Sequence, residues 1–264
     1  MMNKVFTRKF LPLLPLSPLS PLLLLIAFVL QLGWLGSHSR AFAADKPVAV
    51  VELFTSQGCS SCPAADKILS EYSKRKDILA LSFHVDYWNY LGWKDTFSKA
   101  EFTDRQQRYA VSFRRHGVYT PQVVVNGRDH AVGSRKGDIE KLINEYVRSG
   151  KAMSIDINTK RDREKIRVTT DAPSGDATLW VVYFDKQRSV KIERGENRGR
   201  TITYHNVVRD VSMLGMMKQG KLDVTLPLEE MKRKGFEACA IVLQQNTAFG
   251  TPGPILGATL IGNL

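Results

Sequence analysis

The sequence predicts an α/β domain, a mixed sheet with flanking helices, followed by an all-β, sandwich-like domain. Three observations predict this. Apolar strand-like runs alternate with helix-period stretches over 44–150, and an Asn-Gly turn joins two short strands inside that part. Over 151–264, short strands separated by turn clusters take over. Residues 1–43 differ in composition from both.

That first segment reads as an address. Lys4, Arg8 and Lys9 form a basic start, 11–35 is dominated by leucine, and Ala41-Phe42-Ala43 supplies the small residues of a cleavage site. These are the parts of a secretory signal peptide, with cleavage before Ala44. The apolar run is long enough to span a bilayer, so an uncleaved anchor is the alternative. Pro12, Pro15, Pro18 and Pro21 and the Ala-x-Ala end favour cleavage, which leaves no stable membrane span. The mature chain is expected in an exported, periplasmic or secreted location, where disulfides persist.

Removing 1–43 lowers the formal net charge from +12 to +8, because that segment holds Lys4, Arg8, Lys9 and Arg40 and no acid. The remaining basic residues are interleaved with acids, as in Lys160-Arg161-Asp162-Arg163-Glu164-Lys165. This pattern describes a solvated surface or an attraction to an anionic envelope, and no nucleic-acid partner is expected.

The first element of the mature chain is an apolar strand over 48–54. It is broken by Thr55-Ser56-Gln57-Gly58 and followed by Cys59-Ser60-Ser61-Cys62-Pro63 and a helix from Ala64 to Leu69. A C-x-x-C at a strand-to-helix junction suits dithiol redox chemistry. The first thiol lies at a helix N-terminus, where unpaired N–H groups and the helix dipole favour thiolate, and the second can attack a mixed disulfide formed by the first. A structural disulfide is the plainer alternative. Zinc would want two further Cys or His ligands at comparable spacing; only Cys239 remains and no histidine pair sits at ligand spacing, so no metal site is assigned.

A second buried strand is expected over 78–85. Asp86 to Asp95 then crowds Tyr87, Trp88, Tyr90 and Trp93 together, either as a packed corner over the sheet end or as a wall shaping a groove beside the dithiol, with Trp88 and Trp93 as substrate contacts. A helix is expected over 97–115, a hairpin through Asn126-Gly127, and a helix from Asp138 to Gly150. The order is β-α-β-α-β-β-α. His84 ends the second strand near the dithiol end of the sheet, where it could tune a thiolate or simply fill the core.

Strands are expected over 153–157, 165–170, 177–185, 190–194, 222–226 and 238–245. Cys239 lies in an apolar run and reads as a buried free thiol. Glu193-Arg194-Gly195-Glu196-Asn197-Arg198-Gly199-Arg200 reads as an exposed, soluble hairpin; Arg198 and Arg200 clamping an anion is the alternative.

The order of elements, the position of the C-x-x-C and Thr120-Pro121 ahead of the third strand resemble the thioredoxin fold. That resemblance implies a cis Pro121 against the dithiol, with Thr120 in substrate docking. It also implies that Glu52 is the buried acid that relays a proton, although its spacing to the first cysteine is one residue longer than in thioredoxins; the alternative is a surface carboxylate at the strand edge. ELFTSQGCSSCPAAD, HVDYWNYLGWKD, YTPQVVVNG and GENRGRTITYHNVVRD together are similar to a bacterial family of secreted thioredoxin-like proteins catalogued as domain of unknown function 1223. The expectation is thiol–disulfide exchange with a protein or small-molecule partner. Cys59 attacks and Cys62 resolves, with no bound cofactor because the electrons reside in the sulfurs. The alternatives are a non-enzymatic envelope-binding module stapled by a structural disulfide, and a copper(I) carrier using both thiolates.

Overall fold

A computed structural model describes residues 46–262, apart from 152, 172 and 174; the expected signal segment lies outside the described residues. The fold is mixed α/β, thioredoxin-like, with a β-rich C-terminal half. β1 (Ala49–Thr55) is parallel to β2 (Ile78–His84) and antiparallel to β3 (Gln122–Val125), which forms a hairpin with β4 (Asp129–Val132). α1 (Pro63–Tyr72), α2 (Ala100–Ser112) and α3 (Lys136–Arg148) flank these strands. Val48 stands outside β1, but the expected elements of this half are all present.

Strand alternation sorts the core. Ala49, Val51 and Leu53 face Ala65, Leu69 and Tyr72 of α1 and Ile139 and Ile143 of α3. Val50 and Phe54 point the other way, toward Phe102 and Tyr109 of α2.

The C-terminal half continues this sheet. β7 (Ala177–Lys191), β8 (Thr201–Met217), β10 (Ala238–Asn246) and β11 (Pro252–Ile261) extend it to eight strands in the order β11-β10-β7-β8-β2-β1-β3-β4. A second, antiparallel sheet of β5 (Ile157–Arg161), β6 (Lys165–Asp171) and β9 (Lys221–Pro227) packs Ile157, Ile166, Val168 and Leu226 against Leu179, Val181, Ile241 and Leu243. This is the sandwich-like part. A short α4 (Leu228–Arg233) adds Leu228 and Met231 to the same core.

Several sequence expectations are corrected here. The strand expected over 153–157 begins only at Ile157. The segments expected over 177–185 and 190–194 are one strand, β7, and its long partner β8 was not expected, nor were β11 and α4. Cys239 is a buried free thiol, as expected, and burial pushes it up to about 12, which favours the protonated thiol at neutral pH.

The Asn-Gly hairpin joins the two halves. Asn126 Oδ1 accepts from Val50 N (2.7 Å), and its carbonyl accepts from Ile255 N (2.8 Å). Both turn residues have positive φ, 51° and 62°. A Cβ on Gly127 would lie 2.4 Å from the carbonyl oxygen of Gly253, a backbone atom that cannot swing away. Gly127→Ala is therefore expected to destabilise the protein by about 2–4 kcal/mol, read as a lower urea midpoint at unchanged slope.

Candidate functional site: the Cys59–Cys62 turn

The site is built where β1 ends. Thr55 is the last strand residue, Ser56 Oγ accepts from Gly58 N (3.1 Å) and Cys59 N donates to Ser56 O (3.2 Å), so the chain turns sharply into α1. Cys62 is the N-cap and Pro63 the first helical residue, a position where the missing N–H costs nothing. Cys59 and Cys62 form a disulfide with Cα atoms 5.4 Å apart, and both are wholly buried, while Ser60 and Ser61 are exposed.

The aromatic loop holds this turn from one side. Trp93 Nε1 donates to Gln57 Oε1 (2.8 Å), and Trp88 Nε1 donates to Thr120 Oγ1 (2.8 Å). Gly58 must be small here: a Cβ would meet Trp88 Cβ at 3.1 Å. Trp88 thus connects the dithiol turn to Thr120, and both tryptophans are half-buried. The Thr120–Pro121 peptide bond is cis, as the resemblance implied. Pro121 is buried, and Gly133 fits between Pro121, Ala65 and Leu53 only because it lacks a side chain, which sets the proline beside the first turn of α1.

Glu52 lies elsewhere. It is buried, which excludes the surface alternative, but it shares the α2 face with Val50 and Phe54. Its carboxylate is committed to Arg105 (2.8 Å) and to the Tyr109 hydroxyl (2.5 Å). Arg105 and Tyr109 also meet Gln244 of β10, so Glu52 belongs to a network across that face of the sheet. The structure does not bring it to the α1 side, where the dithiol turn leads.

Two carboxyls that sequence reasoning missed are found there instead. Asp95 Oδ2 accepts from Gln57 N (2.8 Å) and from His84 Nδ1 (2.7 Å), and Asp95 Oδ1 accepts from Phe97 N (2.8 Å). Burial alone would raise Asp95, but His84 and the backbone donors outweigh it and hold the carboxyl below its ordinary range. Asp66, one turn into α1, is the opposite case. Burial pushes it up to about 7 against the opposing effects of His84 and of the Thr55 hydroxyl, which donates at 2.9 Å. Asp66 Oδ2, His84 Nε2 and the Tyr204 hydroxyl are buried without a protein partner, and the rings of His84 and Tyr204 stand 4.7 Å apart. His84 is therefore a core histidine within a polar pocket behind the dithiol turn.

The loop over 192–200 was expected to be merely soluble, and it is not. It connects β7 to β8 and lies on the dithiol turn: Asn197 Nδ2 donates to Gln57 O (2.9 Å) and Cys59 O (2.8 Å), and Glu196 Oε2 accepts from Ser60 N (3.0 Å). Its sequence signal was weak, two glycines among charges.

A family model described as a protein of unknown function, DUF1223, matches residues 50–244. The chain belongs to the DUF1223 family. The crystal structure of protein AGR_C_4864 from Agrobacterium tumefaciens is 37% identical, with a TM-score of 0.74 over 82% of this DUF1223 chain and 95% of that one. HBP35 of Porphyromonas gingivalis shares the fold at 12% identity, with a TM-score of 0.59 over 83% of this chain and 76% of its own. A probable thioredoxin of Archaeoglobus fulgidus is 28% identical over 97 residues, 36% of this chain and 87% of that relative. The family match spans both the dithiol half and most of the C-terminal extension, so the Asn197 loop lies inside the family region as well.

The raised Asp66 carboxyl makes a signed prediction. The folded state keeps a proton that the unfolded chain releases from about pH 4 upward, so stability is fully present below that range and is lost as pH rises through 7. Asp66→Asn removes this titration. It is expected to raise the melting temperature at pH 8, by up to about 4 kcal/mol in free energy, with the gain shrinking toward pH 4. A gain that grows on acidification would mean the carboxyl is ionised in the fold.

Proposed function

We propose that this protein carries out thiol–disulfide exchange through Cys59 and Cys62, in an exported location after loss of residues 1–43. The observation that supports it most is the disulfide at the start of α1 beside the cis Thr120–Pro121 bond. Likeness to a probable thioredoxin over 97 residues supports it further.

In the reducing direction, the Cys59 thiolate bonds to one sulfur of a partner disulfide, and the partner's S–S bond breaks. The displaced partner sulfur leaves as a thiolate and is protonated. Cys62 then loses its proton, attacks Cys59 Sγ and releases the second partner sulfur. Two electrons pass from the protein dithiol to the partner, and the oxidising direction is the reverse. The α1 N-terminus favours thiolate at Cys59. Asp66, rather than Glu52, is the acid we assign to the Cys62 proton: it stands one helical turn after Cys62, on the face of β1 that α1 covers, where its carboxyl accepts from Thr55, and a carboxyl near 7 can both take and return a proton at neutral pH. Thr120, Trp88 and Trp93 border the turn as partner contacts. Among the described residues no helix is long and apolar enough to cross a membrane.

A second reading, a binding module stapled by a structural disulfide, is favoured by the complete burial of Cys59.

The potential of the pair, measured in glutathione buffers on Cys239→Ser protein lacking 1–43, separates the two. Exchange predicts a reversible value between about −120 and −270 mV, whereas a value below about −300 mV marks a staple. Cys62→Ser is further expected to accumulate a mixed disulfide through Cys59 with partner disulfides, each releasing one partner thiol, and Cys59→Ser is not. N-terminal sequencing of the exported chain is expected to begin at Ala44; an intact N-terminus would show a retained anchor.

A further inference from the structure

We propose that the 192–200 loop is a cap over Cys59, and that Asn197 and Glu196 determine which thiols reach it. The inference rests on the exchange reading, because a cap matters only if Cys59 is meant to react.

Asn197 is wholly buried although its loop neighbours Arg194, Glu196, Arg198, Gly199 and Arg200 are exposed. Its amide is fully used. Both Nδ2 hydrogens go to carbonyls of the dithiol turn, those of Gln57 and Cys59, and Oδ1 accepts from Arg200 Nη1 (3.2 Å). Glu196 takes the exposed N–H of Ser60, and hydrogen bonds from Ser60 hold its carboxyl below the ordinary range. The loop therefore occupies two carbonyls and one N–H on three of the four residues from Gln57 to Ser60.

These are side-chain contacts at the tip of an arm, the part of the β7–β8 hairpin over 185–207, which distinguishes the loop from the rest of the surround. Trp88, Pro121 and Asp95 are tied into the sheet and the aromatic corner. Past Phe184 the β7–β8 hairpin runs beyond β10, and among the described residues β8 pairs with β2 at Ser82–Val207, next to Asn206, whose φ is 46° and whose Nδ2 donates to Ala80 O (2.8 Å). Its loop closes on itself through Ile192 N to Arg200 O (2.9 Å) and Gly199 N to Ile192 O (2.8 Å), with Gly195 and Gly199 at φ 76° and 83°. Lifting it breaks three hydrogen bonds to the turn and uncovers Ile192 and Asn197, while its internal bonds are kept.

Attack on a disulfide requires a thiolate to approach along the S–S axis, and a wholly buried Cys59 offers no such approach. With the cap seated, small thiols reach Cys59 slowly. A partner that competes for the Gln57 and Cys59 carbonyls and the Ser60 N–H opens the site.

The test is the second-order rate at which glutathione and dithiothreitol reduce the Cys59–Cys62 bond, on Cys239→Ser protein at pH 7. Asn197→Ala is expected to raise both rates at least tenfold and Glu196→Ala several-fold. Arg200→Ala, which only frees the Asn197 amide, is expected to give a smaller rise. Arg198→Ala, on the exposed side of the loop, is expected to leave the rates unchanged. Should Asn197→Ala fail to fold by circular dichroism, Glu196→Ala and Arg200→Ala decide. Unchanged rates in the folded variants, or an equal rise in Arg198→Ala, would overturn the cap. The readout is reduction by a small thiol, so it reports on the cap even where the pair's potential proves to be that of a staple.

Discussion

The dithiol turn depends on one buried carboxylate. Asp95 fixes the backbone of Gln57 through one oxygen, which also accepts from His84 at the end of β2, while its other oxygen caps Phe97 N. Three segments, the turn, the strand end and the aromatic loop, meet on that group. Removing it would leave the Gln57 N–H and an imidazole N–H buried without acceptors, and each such orphan costs about 1–3 kcal/mol. The indole of Trp93, hydrogen-bonded to the Gln57 side chain, depends in turn on Gln57 being held there. The position of Cys59 relative to Thr120 and Pro121 is thus set from outside the C-x-x-C itself.

How much of this the sequence reveals follows from the range of each contact. Cys59, Cys62, Trp88, Trp93, Thr120 and Pro121 stand out because each belongs to a short motif or an unusual local composition. Asp66 does not, since an aspartate one turn into a helix ordinarily reads as a solvated helix residue favourable to the dipole. Only Thr55 ahead of it and Tyr204, contributed by the C-terminal half, reveal that this face is covered. Asn197 is harder still, because its partners lie 138 and 140 residues away in the chain. Glu52 shows the converse. The resemblance to thioredoxins implies a relay there, but the parity of β1 turns it to the α2 face.

The fold was legible to the same extent. Strands with dense β-branched runs were plain, and the Asn-Gly hairpin fixed its own register. β8 was missed because Asn206 and Gly215 interrupt a run of mixed polarity, and β11 because Pro252, Gly253, Pro254 and Gly257 read as breakers. Both have physical outlets. β11 is the edge strand, where proline is tolerated, and its pairing with β10 shifts register around Leu243–Asn246. β8 gains its length from antiparallel pairing with β7, while its own arm leaves the edge of β2 to reach the dithiol.

Asp66 and Asp95 then show how one pocket sets two protonation states. Both are buried, and His84 stabilises the charged form of each. Asp95 has three donors and stays ionised, whereas Asp66 has one hydroxyl and an unpartnered oxygen and is pushed up to about 7. A fold selected for stability alone would satisfy Asp66 or replace it with an apolar side chain, because a half-satisfied buried carboxyl is unfavourable. Its presence one helical turn behind Cys62 puts a half-satisfied carboxyl beside the dithiol turn, and local conflicts of that kind cluster at functional sites. The same logic joins the cap to the pocket. Tyr204, which lies against His84, and Asn197, which bonds the Cys59 carbonyl, belong to the same β7–β8 hairpin, so one element borders both the dithiol turn and the acid behind it.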